Sequence, residues 1–534
     1  MSSLSPRTAG LAPYRGPFNR SDAWHLLRRV TFAPTPARVG KARRLGLDRT
    51  LDRLLAGRTS VPEPINADFP DDPAVPIGQT WVRAPVPRGT RVELYRSLSL
   101  RAWLVETAYA GGFDLSARMS LFWHNHFAVP DLVEARAYYA YRRRLRDDAL
   151  GNFRELVRAV TTEPAMLAFL NGDVNTAEDP NENFARELLE LYTLGKGPLA
   201  GEGDYTTYTE GDVRAIARAL TGWRNRHLGA ADPAKQPESW FDARRHDAAP
   251  RQLSSRFGGR TLTAQRKRAV DEVIDAVFAH PAAPFHVCRK LYRFFVYHEI
   301  DDVVEAEVIT PLAELLRASD YEVAPVLRRL FASAHFFAAA QRGALVKSPL
   351  DYALDLTAGL GFPVPADDPL LREGFFRQLY ATAKAQSMTL DAPPTVAGYR
   401  PWHQAPSYHR GWINAANLAE RAEFAERALG NGFRLGDVRL RNRLLDVVDG
   451  FDNPYDPNDL VDEFAARLLT DPLTDAQRAS LKEVLLPGLP DFEWTVEYTA
   501  YRDRPRDQRR RKAVERKVRA LAYALATTPE AHLY

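Results

Sequence analysis

Cysteine is nearly absent from this 534-residue chain, where Cys288 stands alone. One thiol cannot form an intrachain disulfide, and its solitude excludes every multi-cysteine metal or iron–sulfur site. Its setting, FHVCRKLYRFF, has the pattern of an apolar helix, so packing rather than thiolate chemistry is its expected role. No run approaches the roughly 18 apolar residues of a membrane span. The first twenty residues, MSSLSPRTAGLAPYRGPFNR, lack the apolar centre of a secretory signal, which makes the cytoplasm the default expectation. Also missing are HExxH, GxSxG, a Walker A loop and a GxGxxG between strand and helix. With them go the commonest hydrolase, nucleotide-binding and dinucleotide-binding readings.

Net charge is small, +4, but unevenly placed. Residues 502–519 hold ten basic and three acidic side chains, so that stretch carries +7 and the rest of the chain −3. Val514, Val518, Leu521 and Leu525 recur along it at helical spacing, which makes the charges the solvated side of an amphipathic helix. Binding of nucleic acid or an acidic partner through 502–519 is the lesser reading, resting on charge alone.

What the chain has in abundance is helical periodicity. Ser21 is placed to cap SDAWHLLRRV, and Thr35-Pro36 to open PARVGKARRLG. Leu51, Leu54 and Leu55 mark a third helix. Val92–Ala110 breaks at Gly111-Gly112, the pattern resumes through ARMSLFWHNHF, and 152–170 reads as one further amphipathic helix. Thr209 caps a helix whose buried stripe is Val213, Ile216, Ala217 and Leu220, with Gly222 as its stop. Proline-rich or polar loops fall at 61–90, 224–262 and 391–412, and helical pattern returns from Ala415 to the end. The expected fold is mostly α, a large multi-helix globular fold with long Pro-rich loops and few or no strands.

The stretch Asp179–Gly195, DPNENFARELLELYTLG, carries start, stop and two stripes of one helix. Asp179 suits the N-cap, Pro180 the first helical position and Glu182 the capping box, while Gly195 supplies the left-handed stop. Phe184, Leu188 and Leu191 share an apolar face, with Asn183, Glu187 and Glu190 along its edge. Glu187 and Glu190 project together as metal-bridging carboxylates do in helical bundles, although those sites pair Glu with His. Buried salt bridges to arginines are the competing use.

Phe122–Phe127, FWHNHF, places His124, Asn125 and His126 among aromatics. Neutral imidazoles suit zinc, iron or copper. On a helix, however, His124 and His126 point about 200° apart, so they reach one ion only if the helix ends there. Core histidines bonded to carbonyls or carboxylates are the competing reading. His246-Asp247, in the long loop, could orient an imidazole for base work or metal ligation, or simply form a turn.

Taken in order, HLLRRVTFAPTPARV (25–39), MSLFWHNHF (119–127), PNENFARELLELYTLG (180–195) and YTEGDVRAIARALTGW (208–223) resemble a large bacterial family, the domain of unknown function 1800. His246-Asp247, HPAAPFHVCRKLYRFFV (280–296), VKSP (346–349), and DAPPTVAGY followed by GWIN and Arg421 extend the resemblance over nearly the whole chain. It implies one helical unit over 21–534 behind a short tail, 1–20. It also implies an uncharacterised activity, frequent export, and a partner encoded nearby that is similar to alkaline-phosphatase-like hydrolases. The family's HD-x-G-x-K pattern reads here as His246-Asp247-Ala248-Ala249-Pro250-Arg251, and its GW after the Pro-Pro loop as Gly398-Tyr399.

The matching motifs bring a set of polar residues into view together: His124, Asn125, His126, Asn181, Glu182, Asn183, Arg186, Glu187, Glu190, Asp212, Arg218, His246, Asp247 and Lys347. Two functions follow. In the leading one the chain is a non-enzymatic scaffold or partner-binding subunit, its polar residues fixing helix register. In the other it is a metal-assisted hydrolase or related enzyme, with a divalent metal at His124, His126, Glu187 and Glu190 and with His246 close by.

Overall fold

The computed structural model describes residues 10–56, 59–131, 134–202, 204–263 and 266–534. Helices dominate it, and the strands form four separate two-stranded antiparallel sheets among the described residues. A mostly α fold is what the periodicity demands: apolar positions recur with a 3.6-residue period almost everywhere, so each element has a stripe to bury against another helix. The buried cluster runs from Leu11 to Ala531. Among the described residues no helix is long and apolar enough to cross a membrane.

Several caps stand where the sequence puts them. Thr35 accepts from Arg38 N at the start of Pro36–Leu45. Thr209 forms a full capping box with Asp212 at the start of Glu210–Ala219. Other elements differ from expectation. Asn19, not Ser21, caps the first helix, Arg20–Val30, because its side chain and Asp22 bond reciprocally across the first turn. The stretch 152–170 splits into Phe153–Thr161 and Pro164–Phe169, since Pro164 cannot continue the preceding helix and opens a new one. The polar loop 224–262 contains a hairpin, Trp223–Arg226 with Glu238–Phe241, and a shorter pair, Arg251–Gln252 with Thr261–Leu262. A third hairpin, Phe433–Leu435 with Val438–Leu440, interrupts the C-terminal helices. Of the expected tail, residues 1–9 lie outside the described residues; beyond them, Tyr14 N donates to Ala332 O and Ala334 N to Ala12 O.

The basic run builds the helix Gln508–Ala526, and Val514, Val518, Leu521 and Leu525 are buried on it as their spacing requires. Several of its charges are paired: Lys517 with Glu497, Arg519 with Glu515, and Arg502, just before the helix, with Asp449.

Four helices position the candidate site. Ser116–His126 carries FWHNHF at its C-terminal end. Glu182–Glu187 continues as a π-helix over Leu188–Thr193. Ala283–Phe295 packs against that π-helix, and Glu210–Ala219 packs against its α-helical start.

Candidate functional site

The central helix begins later than its sequence suggests. Asn181 is the N-cap, its side chain accepting from Asn183 N at 2.9 Å, while Asp179 N is held by the Thr176 hydroxyl. Pro180 therefore precedes the cap. Glu182 makes no capping box: its carboxylate faces Arg186 at 3.4 Å, and Arg186 forks onto Glu210 at 2.5 and 2.7 Å.

From Leu188 the backbone widens into π geometry, an irregularity that often falls at functional sites. Gly195 ends the element with φ +76°, and Leu194 N and Gly195 N both return to Leu189 O. A side chain at Gly195 would also strike the His286 ring, its Cβ only 2.8 Å from Nδ1. Terminal helix carbonyls attract N–H donors and positive charge. Here Leu191 O accepts from His286 Nε2 at 2.9 Å and from Lys290 Nζ at 3.3 Å. Tyr192 O accepts from His126 Nε2 at 3.0 Å.

This assigns FWHNHF a structural task. Bonding to a carbonyl makes Nε2 of His126 the protonated nitrogen. His124 leaves the helix elsewhere, its Nε2 3.1 Å from both Val129 O and the Tyr138 hydroxyl. Asn125 accepts from Tyr399 N at 2.8 Å, and the preceding Gly398, at φ +90°, lies so close to Asn125 that a Cβ would overlap it. Three consecutive buried side chains thus anchor three separate segments. Burial, reinforced by Arg142, holds His124 well below the usual imidazole range; burial, Lys290 and His286 do the same for His126. Both are neutral at pH 7. His286 is pushed down to about 3 by burial and then by Lys290, and Lys290 down to about 7 by burial and then by Arg293.

The carboxylates behave differently. Asn183 is exposed and Glu187 half-buried. Glu187 is pushed up to about 7, first by burial and then by the neighbouring Glu190. Glu190 accepts from the Tyr208 hydroxyl at 3.1 Å, with Lys196 3.9 Å away. Glu190 lines an open cleft of about 750 Å³ together with Lys196, Thr207, His280, Phe285, His286 and Arg289. Of these the sequence singled out only Glu190; His280 and His286 stand inside the HPAAPFHVCRK motif but resemble helix-start and core positions there.

The remaining nominated residues are held by other partners. His246 Nδ1 sits 3.0 Å from Thr221 O, and Asp247 accepts from Arg218 Nε at 2.6 Å and from Ala249 N at 2.9 Å. The pair therefore braces the turn after Glu210–Ala219, and its two side chains serve different neighbours. Asp212 accepts from Ser254 N and Oγ, both at 2.7 Å, besides its capping bonds. Lys347 is buried beside Asp355 at 3.1 Å, with Leu468 O 3.4 Å away. The one polar centre expected from the motifs is thus distributed over several. Among the described residues no group of three or more His, Cys, Asp or Glu side chains is placed to hold a metal ion, so the set His124, His126, Glu187 and Glu190 is not gathered around one point. The physical reason is the direction already implied by helix geometry: His124 and His126 leave the helix on different sides.

Lys347 belongs to a second polar centre that sequence reasoning largely missed. Arg118 forms a buried ion pair with Asp351 at 2.6 Å and lies 3.9 Å from the Phe32 ring centroid. Arg29 donates to the carbonyls of Phe295, Val296 and Gln341. Arg421 donates to Lys347 O at 2.8 Å and Gln386 Oε1 at 3.1 Å. Buried arginines of this kind read in sequence as ordinary surface charges.

Fold and site together define a large, mostly α-helical protein in which one motif histidine, His126, meets the C-terminal end of a π-widened helix while the other motif residues brace separate segments. The chain belongs to the family described as Protein of unknown function (DUF1800), whose model matches residues 25–530. No curated protein and no solved structure matched the chain.

Proposed function

We propose that the protein is a non-enzymatic helical scaffold that binds another protein, with its motif residues devoted to holding helix ends and loops in register. One observation carries this reading. His124, Asn125 and His126 each bond a backbone group of a different segment, at Val129, Tyr399 and Tyr192. Through these bonds Nε2 of each histidine and the Asn125 carbonyl tie backbone segments together, while Nδ1 of both histidines has no partner among the described residues; removing such a bond leaves a costly unpaired buried group. The partner to test first is an alkaline-phosphatase-like protein, which the family resemblance suggests. Co-expression followed by size-exclusion chromatography reads that association directly.

Elemental analysis of purified wild type, His126→Ala and Glu187→Ala tests the scaffold reading itself. It expects no divalent metal whose content depends on these side chains, together with a lower unfolding temperature for His126→Ala. Stoichiometric metal that disappears in both variants while the fold survives would overturn it. That outcome would support the metal-assisted hydrolase instead, a reading that draws on the Glu187 carboxyl held near neutral pKa beside Glu190.

A further inference from the structure

The Pro-rich loop that follows Asp391 encloses a cleft of about 500 Å³, independent of the scaffold reading. Its walls include Pro394, Tyr399, Arg400, Gln404, Tyr408 and Trp412. Cavities of roughly 300–1,000 Å³ with apolar walls and a few fixed polar groups are the size and character of small-molecule sites.

Among the described residues that line it, Arg400 carries the only charge, beside neutral groups such as Gln404 and Ser407 that can donate or accept. Trp412 is only 2% exposed, and its indole N–H has no hydrogen-bond partner among the described residues. Arg400 is exposed, and none of the ion pairs among the described residues includes it. No Asp or Glu lies between Asp391 and Glu420 in the chain; Arg400 and Arg410 are the only charged residues there. Among the described residues no carboxylate lines the cleft. A cationic ligand would therefore meet no counter-charge, whereas an anion would meet a guanidinium whose fork matches a carboxylate. Inorganic anions would use that charge but leave the aromatic and proline walls uncovered. A flat apolar body is what those walls accommodate, by stacking and burial of apolar area.

We infer that this cleft binds a small organic anion, a carboxylate carried on a flat apolar ring system, with Arg400 as its counter-ion and Tyr399, Tyr408 and Trp412 as its walls. The site needs nothing from the central helix, so its success or failure is separate from that of the scaffold reading.

Isothermal titration of the full chain at low salt with 2-naphthoate, 2-naphthamide and inorganic phosphate tests it. The expected result is saturable one-to-one binding of 2-naphthoate, at least about tenfold weaker binding of the neutral amide, and a similar loss for Arg400→Gln. Arg410→Gln, outside the cleft lining, leaves the affinity unchanged. Absence of naphthoate binding at millimolar concentration overturns the inference, as does equal affinity for acid and amide. Phosphate binding in place of naphthoate, or equal losses in the Arg400 and Arg410 variants, also overturns it in favour of diffuse anion attraction. Because acid and amide are compared on the wild-type protein, the test stands even if Arg400→Gln does not fold.

Discussion

Two polar regions of this molecule use charge in opposite ways. Around Arg118, Asp351, Lys347 and Arg421 the charges are buried and closely paired: Arg118 and Asp351 are 2% and 3% exposed at 2.6 Å, and Ser348 Oγ donates to the same carboxylate. At the end of the central helix the charges are fewer and less well matched. Lys290 is bonded to a carbonyl rather than a carboxylate, and Glu187 is destabilised as an anion by burial and by Glu190. The first region is a framework, where desolvation is offset by close ion pairs and carbonyls. The second is poised, with groups whose protonation shifts near neutral pH. Family motifs run through both, so motif membership alone does not distinguish framework from poised groups.

The comparison breaks most visibly at Arg118. Arg118→Ala strands Asp351 in the core, and loss of one partner of a buried pair costs about 3–5 kcal/mol. A fall of several degrees in the first thermal unfolding transition is expected; an unchanged transition would show the pair to be no framework at all. Next in size is His126→Ala, which leaves Tyr192 O unpaired at about 1–3 kcal/mol. Hydrogen exchange of residues 188–195 should quicken in this variant, while exchange near Arg118 stays at its wild-type rate. Gly195→Ala is expected to cost about 1–2 kcal/mol from the left-handed backbone alone. The crowding against His286 adds to that, and the same melting measurement reads the sum.

The last effect concerns Glu187, whose half-buried carboxyl is partly screened by solvent, and its sign is specific. Its carboxyl is raised from 4.5 to about 7 in the folded chain, so the folded state holds a proton that the unfolded state has lost. Stability therefore falls as pH rises from about 4.5 to about 7. Glu187→Gln removes this term: it should be more stable than wild type at pH 8 and indistinguishable from it below pH 4. Denaturation curves at both pH values decide, and equal stability at pH 8 would mean that Glu187 is not poised.

Local signals were legible where the chemistry is local. Thr35 and Thr209 cap their helices through hydrogen bonds within a few residues and Gly195 closes the central one with a left-handed turn, whereas Glu210–Ala219 already ends at Leu220, before the Gly222 expected to stop it. The start of the central helix was misplaced because Asn175 captures Asn181 N and Thr176 captures Asp179 N, competition that a cap pattern does not reveal. Its π-widening was invisible because one extra residue in a turn barely alters an apolar pattern six residues long. The partners of FWHNHF were unreadable for another reason: His126 reaches 66 residues along the chain and Asn125 reaches 274.

By itself, then, the sequence determined a mostly α-helical chain, the ends of several helices, the buried stripe of the basic helix and membership of a family. Those properties depend on periodicity and on residues within one turn of each other. Tertiary structure decided what the polar motifs do. Whether a histidine meets a carbonyl, a metal or water depends on which backbone arrives opposite it, and that is settled only when helices distant in sequence pack together.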